Sequence, residues 1–379
     1  MKFVPLSIFL ALVLASTSAS AYKWEISENS SINLAVLLQP QLQMSEDKAP
    51  SGDAYSKDFF LRRIRLLAYG AVNKNLTYFV ETDQPNFGKD GNFEGQFFIQ
   101  DAFMAYRFME EFQLAAGLIL LPFTRHNFQS AAALSGLDYH VNMIKLGGNH
   151  KVWRDVGLQA YGWALGEKLH YRLGVFGGQQ GAKDLGVDRD GEPLVANPDD
   201  LPRITGHVRY NILGKEKDFF AKGIYFSETP IVSVGVGVDF VPDAIVAEVA
   251  TATKKAELGA QLGIAADVFA EYPLNADNEV LFQATYFQYD AGEKAVGTGS
   301  GFLAEAGYRW KWLHPVIGYD MFMSDEDDWD YTAMRFGVNF WGNKHLTNLK
   351  AEFAMITDQK GDKDAKAKNQ FTLQTQFFW

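Results

Sequence analysis

The sequence predicts an all-β fold, a transmembrane antiparallel barrel of about 16 strands, on three observations. Segments of roughly ten residues alternate apolar with polar or small side chains along nearly the whole chain. Clusters of Gly, Asn, Asp and Pro separate those segments. Nowhere beyond the N-terminal segment does a run of about 18 apolar residues offer a spanning helix.

Residues 1–21 carry one early cation, Lys2, an apolar stretch from Phe3 to Ala15 and the small-residue triplet Ala19-Ser20-Ala21, the pattern of a cleavable secretory signal peptide. The expected mature chain is a single barrel domain, 22–379. Removing Lys2 leaves 34 Lys and Arg against 46 Asp and Glu, a formal charge of −12, which argues against a nucleic-acid partner. The absence of cysteine removes disulfides and thiol chemistry from consideration.

The alternation predicts strands at 31–43, 59–71, 75–83, 97–108, 111–120, 154–164, 167–177, 201–213, 231–240, 261–271, 278–290, 300–311, 312–323, 330–341, 347–356 and 368–379. Reading Phe219 to Phe226 and Ala244 to Ala252 as strands raises the count to 18. In 201–213, Ile204, Gly206, Val208, Tyr210 and Ile212 share one face and Arg203, Thr205, His207, Arg209 and Asn211 the other, because successive side chains of a strand point to opposite faces. A soluble β protein alternates too, but its strands are usually about five or six residues long, whereas tilted membrane strands need about 9 to 11. Aromatics near segment ends, at Tyr69, Phe108, Trp163, Tyr272, Trp310, Trp341 and Trp379, mark where interfacial girdles are expected. The terminal Phe377-Phe378-Trp379 looks like the signal read by the barrel-assembly machinery, with outer-membrane lipid and lipopolysaccharide as the surroundings.

A barrel of this size is too wide for side chains to fill, so an aqueous lumen is expected and function reduces to what lines its narrowest point. The connection 121–153 is long and apolar for a surface loop, with Leu121, Pro122, Phe123, Phe128, Ala131 to Leu134 and Leu137, and is the candidate third extracellular loop folded inward. Its cations Arg125, Lys145 and Lys151, followed by Arg154, face one acid, Asp138, and His126, His140 and His150 add polar groups. The expected constriction is Arg125, His126, Lys145, Lys151 and Arg154, with a lumen ladder of Arg63, Arg65, Arg172, Arg203 and Arg209. Few charges in a low-dielectric constriction concentrate the field, and arginine meets phosphate or carboxylate with two parallel hydrogen bonds, so a modest anion preference is expected. Against it stand the inward acids Glu81, Asp83, Asp101, Asp239, Asp267, Glu305 and Asp320, which would neutralise the ladder. Arg62, one residue out of phase, is expected at the interface. The acidic run containing Asp325, Asp327 and Asp328 reads as solvated surface, with divalent-cation contacts as the alternative. No metal spacing, nucleophile elbow or phosphate-cradling loop is present, so neither enzyme nor cofactor is expected.

The stretches Phe60-Leu61-Arg62-Arg63-Ile64-Arg65-Leu66, Leu76 to Asp83, Gln100-Asp101-Ala102-Phe103, Gly117-Leu118, Leu121-Pro122-Phe123, Arg154-Asp155-Val156-Gly157-Leu158 and Tyr171 to Gly177 resemble the phosphate-selective porin O and P family. The resemblance implies a homotrimeric outer-membrane porin of 16 strands with its third extracellular loop folded inward, passing small solutes by diffusion. This chain departs from the lysine-rich phosphate traps of that family, offering Lys145, Lys151 and Arg125 in the loop. The alternatives are a non-selective or cation-tolerant porin, and a closed structural or adhesive barrel.

Overall fold

Alternation becomes a closed wall in the computed structural model, which describes residues 22–140, 153–178 and 184–379. The expected signal peptide, together with Lys145, His150 and Lys151, lies outside the described residues. The strands are β1 (Tyr22–Ser27), β2 (Ser30–Ser45), β3 (Asp58–Ala71), β4 (Leu76–Asp83), β5 (Phe98–Met109), β6 (Phe112–Leu120), β7 (Arg154–Ala164), β8 (Leu169–Phe176), β9 (Asp184–Val187), β10 (Pro193–Val195), β11 (Arg203–Leu213), β12 (Ile231–Glu248), β13 (Glu257–Asn275), β14 (Asn278–Asp290), β15 (Gly299–Trp310), β16 (Leu313–Ser324), β17 (Tyr331–Asn343), β18 (Thr347–Asp358) and β19 (Lys368–Phe378).

Sixteen of them, β2–β8 and β11–β19, pair antiparallel in chain order, and β19 returns to β2 to close the barrel. The seam ends where Val36 and Trp379 exchange backbone hydrogen bonds at 2.7 and 3.1 Å. Closure removes the unpaired edges that lipid could not hydrate. β1 pairs along β2 from Tyr22 opposite Leu34 to Ser27 opposite Ser30, so it covers the part of β2 that β19 does not reach. That hairpin, and the small β9–β10 hairpin in the 177–202 connection, were not expected from the alternation. Among the described residues no helix is long and apolar enough to cross a membrane.

The two faces are inverted relative to a soluble sheet. Along β12, Val234, Val236 and Val238 are exposed whereas Ser233 and Asp239 are buried. Along β11, Ile204, Tyr210 and Ile212 are exposed and Arg203, Thr205, His207, Arg209 and Asn211 are all buried. Apolar residues outside and polar residues inside is the pattern of a wall solvated by lipid.

Three expectations need correction. Residues 219–226 form no strand, and 244–248 prolong β12, so the count stays at 16. Of the girdle aromatics, Phe108, Tyr272, Trp310 and Trp379 are exposed on the outer face, but Trp341 is buried, its ring 5.2 Å from that of Phe226. Trp163 stacks near the buried His170 (4.8 Å), and Tyr69 lies against Phe79 (6.1 Å), both on the inner face. Arg62 is not at the lipid interface: its Nε donates to Asp138 Oδ2 at 2.6 Å. The cause is a shift in register between Leu38 and Pro40, across which β3 carries one extra residue. A bulge of this kind turns two neighbours to one side, and it sits where Pro40 cannot donate to the ladder. Arg62 and Arg63 therefore both reach Asp138.

Candidate pore-lining site

Residues 121–140 follow β6 and are buried almost throughout, including Leu121, Phe123, Phe128, Ala131 to Leu134 and Leu137. Phe123, Ala131, Leu134 and Tyr139 pack with Ala265, Phe287, Tyr289, Leu303, Phe322, Tyr331 and Ala333 of β13–β17. The backbone is held by side chains that the alternation places on the polar face. Lys350 Nζ donates to Leu134 O (2.7 Å) and Gly136 O (2.6 Å), Asn339 Nδ2 to Ser135 O (2.6 Å), Gln39 Nε2 to Ala131 O (3.2 Å) and Gln376 Nε2 to Ala132 O (2.8 Å). Glu305 accepts from Ser135, Gln283 and His140, and His140 also meets Asp320 at 3.0 Å.

A close backbone approach completes the seat. A Cβ on Gly237 of β12 would overlap the carbonyl oxygen of Phe123. Gly237→Ala should lower the thermal unfolding midpoint of the refolded barrel, at a cost of about 1–3 kcal/mol for overpacking. An unchanged midpoint would mean that 121–140 does not rest on β12.

The second segment on this face is the connection 214–230 between β11 and β12. Glu216, fully buried, accepts from Arg125 Nε (3.0 Å) and Nη2 (2.7 Å), and from the hydroxyls of Tyr225 (2.8 Å) and Ser233. Burial by itself would raise the Glu216 carboxyl, but Arg125 and Arg209 beside it hold it down at about 2. The Arg125 guanidinium also lies 3.6 Å from the centre of the Phe269 ring, and its Nη1 donates to Gln283 (3.0 Å).

The remaining sequence-predicted residues are brought together in pairs rather than as one basic patch. Arg65 bridges Glu81 (2.7 Å) and Asp83 (2.9 Å), Arg154 forks onto Asp101 (3.2 and 3.0 Å), and Arg203 Nε donates to Asp239 (2.7 Å). Arg209 lies 3.6 Å from Glu216 and donates to its carbonyl at 2.7 Å. Arg172 differs. It donates to Phe219 O and stands 4.4 Å from the ring centres of both Phe128 and Phe219, while its Nε and Nη1 are buried with no hydrogen-bond acceptor among the described residues.

His126 accepts from the backbone N–H of His140 (3.2 Å); burial, and then the charge on His140, push its imidazole down to about 3. His140 moves the other way. Burial opposes its charging, yet Asp320 and Glu305 raise it to about 9. Its contribution to stability is thus fully present below the unfolded value near 6.5 and is lost as pH rises through about 9. The stability difference between the native chain and His140→Phe should shrink from pH 7 to pH 10, read as thermal midpoints in detergent. A constant difference would remove the charged His140 from the seat.

Among the described residues eight buried arginines and lysines stand against eleven buried carboxylates. The part-buried Arg62, Arg309 and Arg335, set against Asp138, bring the two signs close to equality. No three His, Cys, Asp or Glu side chains among the described residues gather as a metal-holding group, those of Asp325, Asp327 and Asp328 included.

Sequence reasoning did not single out Glu216, Lys350, Asn339 or Gln39. The last three sit on the polar face by parity, so the signal was present. Glu216 belongs to Lys215-Glu216-Lys217-Asp218, which reads as an ordinary charged turn.

Residues 38–197 match the family model described as phosphate-selective porin O and P. The chain has the fold of outer-membrane porins. Its structure is similar to the outer membrane channel DcaP of Acinetobacter baumannii (12% identity, TM-score 0.60, covering 95% of this chain and 100% of that one). It is also similar to an anion-selective porin from Comamonas acidovorans (14%, 0.53, 92% and 100%) and to the trimer form of OmpT of Vibrio cholerae (13%, 0.52, 93% and 100%). No curated protein matches. The porin-like barrel fits a channel rather than an enzyme, and outer-membrane residence.

Proposed function

We infer that this chain is a porin for passive diffusion of small hydrophilic solutes, with little preference for the sign of their charge. Residues 121–140 belong to the inward third loop of this reading, and narrow the lumen together with the wall residues that hold them. The observation that carries the weak selectivity is the pairing of Arg65, Arg125, Arg154 and Arg203 with carboxylates within about 3 Å, which leaves little net field for an ion to feel. A residual anion preference has one specific support, Arg172, whose described contacts include no carboxylate. A homotrimer is part of the reading, supported by the trimeric form of a structurally similar barrel.

The test is stepwise conductance in planar bilayers, with liposome swelling in neutral sugars of increasing size. The expected result is discrete conductance steps and swelling that falls off with sugar size. Stable insertion without either, both with the connection 214–230 intact and with it shortened, would leave a closed structural barrel as the function. If Arg172 carries a residual preference, Arg172→Gln should move the reversal potential toward zero, whereas Arg62→Gln, paired at the side of the seat, should not.

A further inference from the structure

At the end of the barrel that carries the short turns, neighbouring strands are joined by 72–75, 110–111, 165–168, 276–277, 311–312 and 344–346. Antiparallel neighbours need no more than about two residues to turn. The connection 214–230 at that same end is far longer, and its extra residues are not spread over the rim. They run along the inner face and pair with loop 121–140, which comes from the opposite end. Ala221 N donates to Phe128 O (2.9 Å), Ser130 N to Ala221 O (3.0 Å) and Gly223 N to Ala133 O (2.7 Å), with Gln129 and Ala221 as parallel bridge partners. The approach is backbone to backbone, since a Cβ on Gly223 would overlap Ser135 N.

Resting on the porin reading, we propose that the connection 214–230 is a releasable plug, entering from the periplasmic end and latched to the outer loop by the Arg125–Glu216 pair. The latch is a doubly hydrogen-bonded ion pair, closed over by Tyr225 and by Lys222 O, which accepts from Arg125 Nη2 at 2.6 Å. The wall holds the plug by polar and by aromatic contacts: Arg172 donates to Phe219 O, Arg209 and Ser233 to Glu216, and His345 meets Ile224 O at 2.9 Å. Phe219 stacks on Phe103 (5.1 Å), Phe220 approaches Phe79 (5.3 Å) and Phe226 approaches Trp341 (5.2 Å), while Glu271 accepts from the amides of Tyr225 and Ser227, each at 2.6 Å. The segment contributes no strand to the barrel, and Gly214 holds a left-handed φ of 59° at its root, so it can leave without breaking the wall. With both segments seated, inward side chains around the barrel, among them Gln159, Thr205, Glu279 and Gln374, are buried. An open lumen would wet them. Solute passage then requires the plug to withdraw, which breaks the three backbone bonds to 128–133, the Glu216 latch and the wall contacts to Glu216, Phe219, Ile224, Tyr225 and Ser227.

The absence of cysteine from the chain permits a clean test. In the full-length protein, Gln129→Cys with Ala221→Cys places two thiols at bridge-partner positions, within the usual Cα reach of a disulfide. Single-channel conductance in planar bilayers is read before and after a reductant, with cross-linking verified by mass. The expected result is a several-fold rise in conductance on reduction, absent in the native chain. Equal conductance in the cross-linked and reduced forms overturns the plug while keeping the porin. A second variant, in which 217–228 is replaced by a two-residue turn, should conduct several-fold more than the native chain; equal conductance again overturns the plug. A native chain that is silent beside a conducting shortened variant supports it. Insertion of every form without conductance overturns the porin reading, and the plug with it.

Discussion

Glu305→Ala is expected to cost the folded barrel about 3–5 kcal/mol, the penalty for removing one partner of a buried ion pair. Glu305 accepts from Ser135, Gln283 and His140, so its carboxylate joins the tip of 121–140 to two strands at once. Truncation leaves His140 with Asp320 alone as its anionic partner and strips the hydroxyl of Ser135 of its acceptor, while the amide of Gln283 keeps Ser135 Oγ at 3.2 Å. Buried donors without acceptors cost about 1–3 kcal/mol each. Glu305→Gln keeps an acceptor and should cost less than Glu305→Ala. Thermal unfolding in detergent reads both, and a loss below about 1 kcal/mol for the alanine variant would contradict the contact network.

The second large effect is electrical. Replacing Glu81, Asp101 and Asp239 by Gln, Asn and Asn preserves shape and most hydrogen-bonding capacity but removes three charges that face Arg65, Arg154 and Arg203. With that negative charge removed, and Asp83 still facing Arg65, the guanidiniums attract anions, which they meet with two parallel hydrogen bonds. The reversal potential in a salt gradient should therefore move strongly toward the anion limit in the triple variant. A reversal potential equal to that of the native chain would place these pairs away from the path of the ions.

Much of the wall was legible because period-two alternation reports a physical boundary. A residue facing lipid is seldom polar, and one facing the interior of a wide barrel need not be apolar, so each barrel strand from Asp58–Ala71 to Lys368–Phe378, the β9–β10 hairpin aside, announces both its existence and its orientation. Alternation fails where the chain departs from it. The bulge at Arg62 turns that side chain inward against parity, and a parity count has no way to see one extra residue. Trp341, expected in the outer girdle, is buried against Phe226 because the connection 214–230 supplies an inner apolar surface at that height. The site was legible in kind and not in detail. Arg63, Arg65, Arg154, Arg172, Arg203 and Arg209 do face inward and are buried. Their carboxylate partners follow from cross-strand register, as with Arg65 opposite Asp83, and register is set by turn geometry rather than by composition. Asp138, the one acid counted in the loop, meets Arg62 and Arg63, and Arg125 finds Glu216 across a sequence separation of 91 residues that nothing local signals.

The central claim, a diffusion channel whose lumen arginines are cancelled by paired acids, is tested most directly by the reversal potential of the native protein in planar bilayers under a potassium chloride gradient. A small reversal potential, far from the Nernst limit of either ion, is the predicted result. A value near the chloride limit would mean that the arginines act uncompensated and would contradict the account.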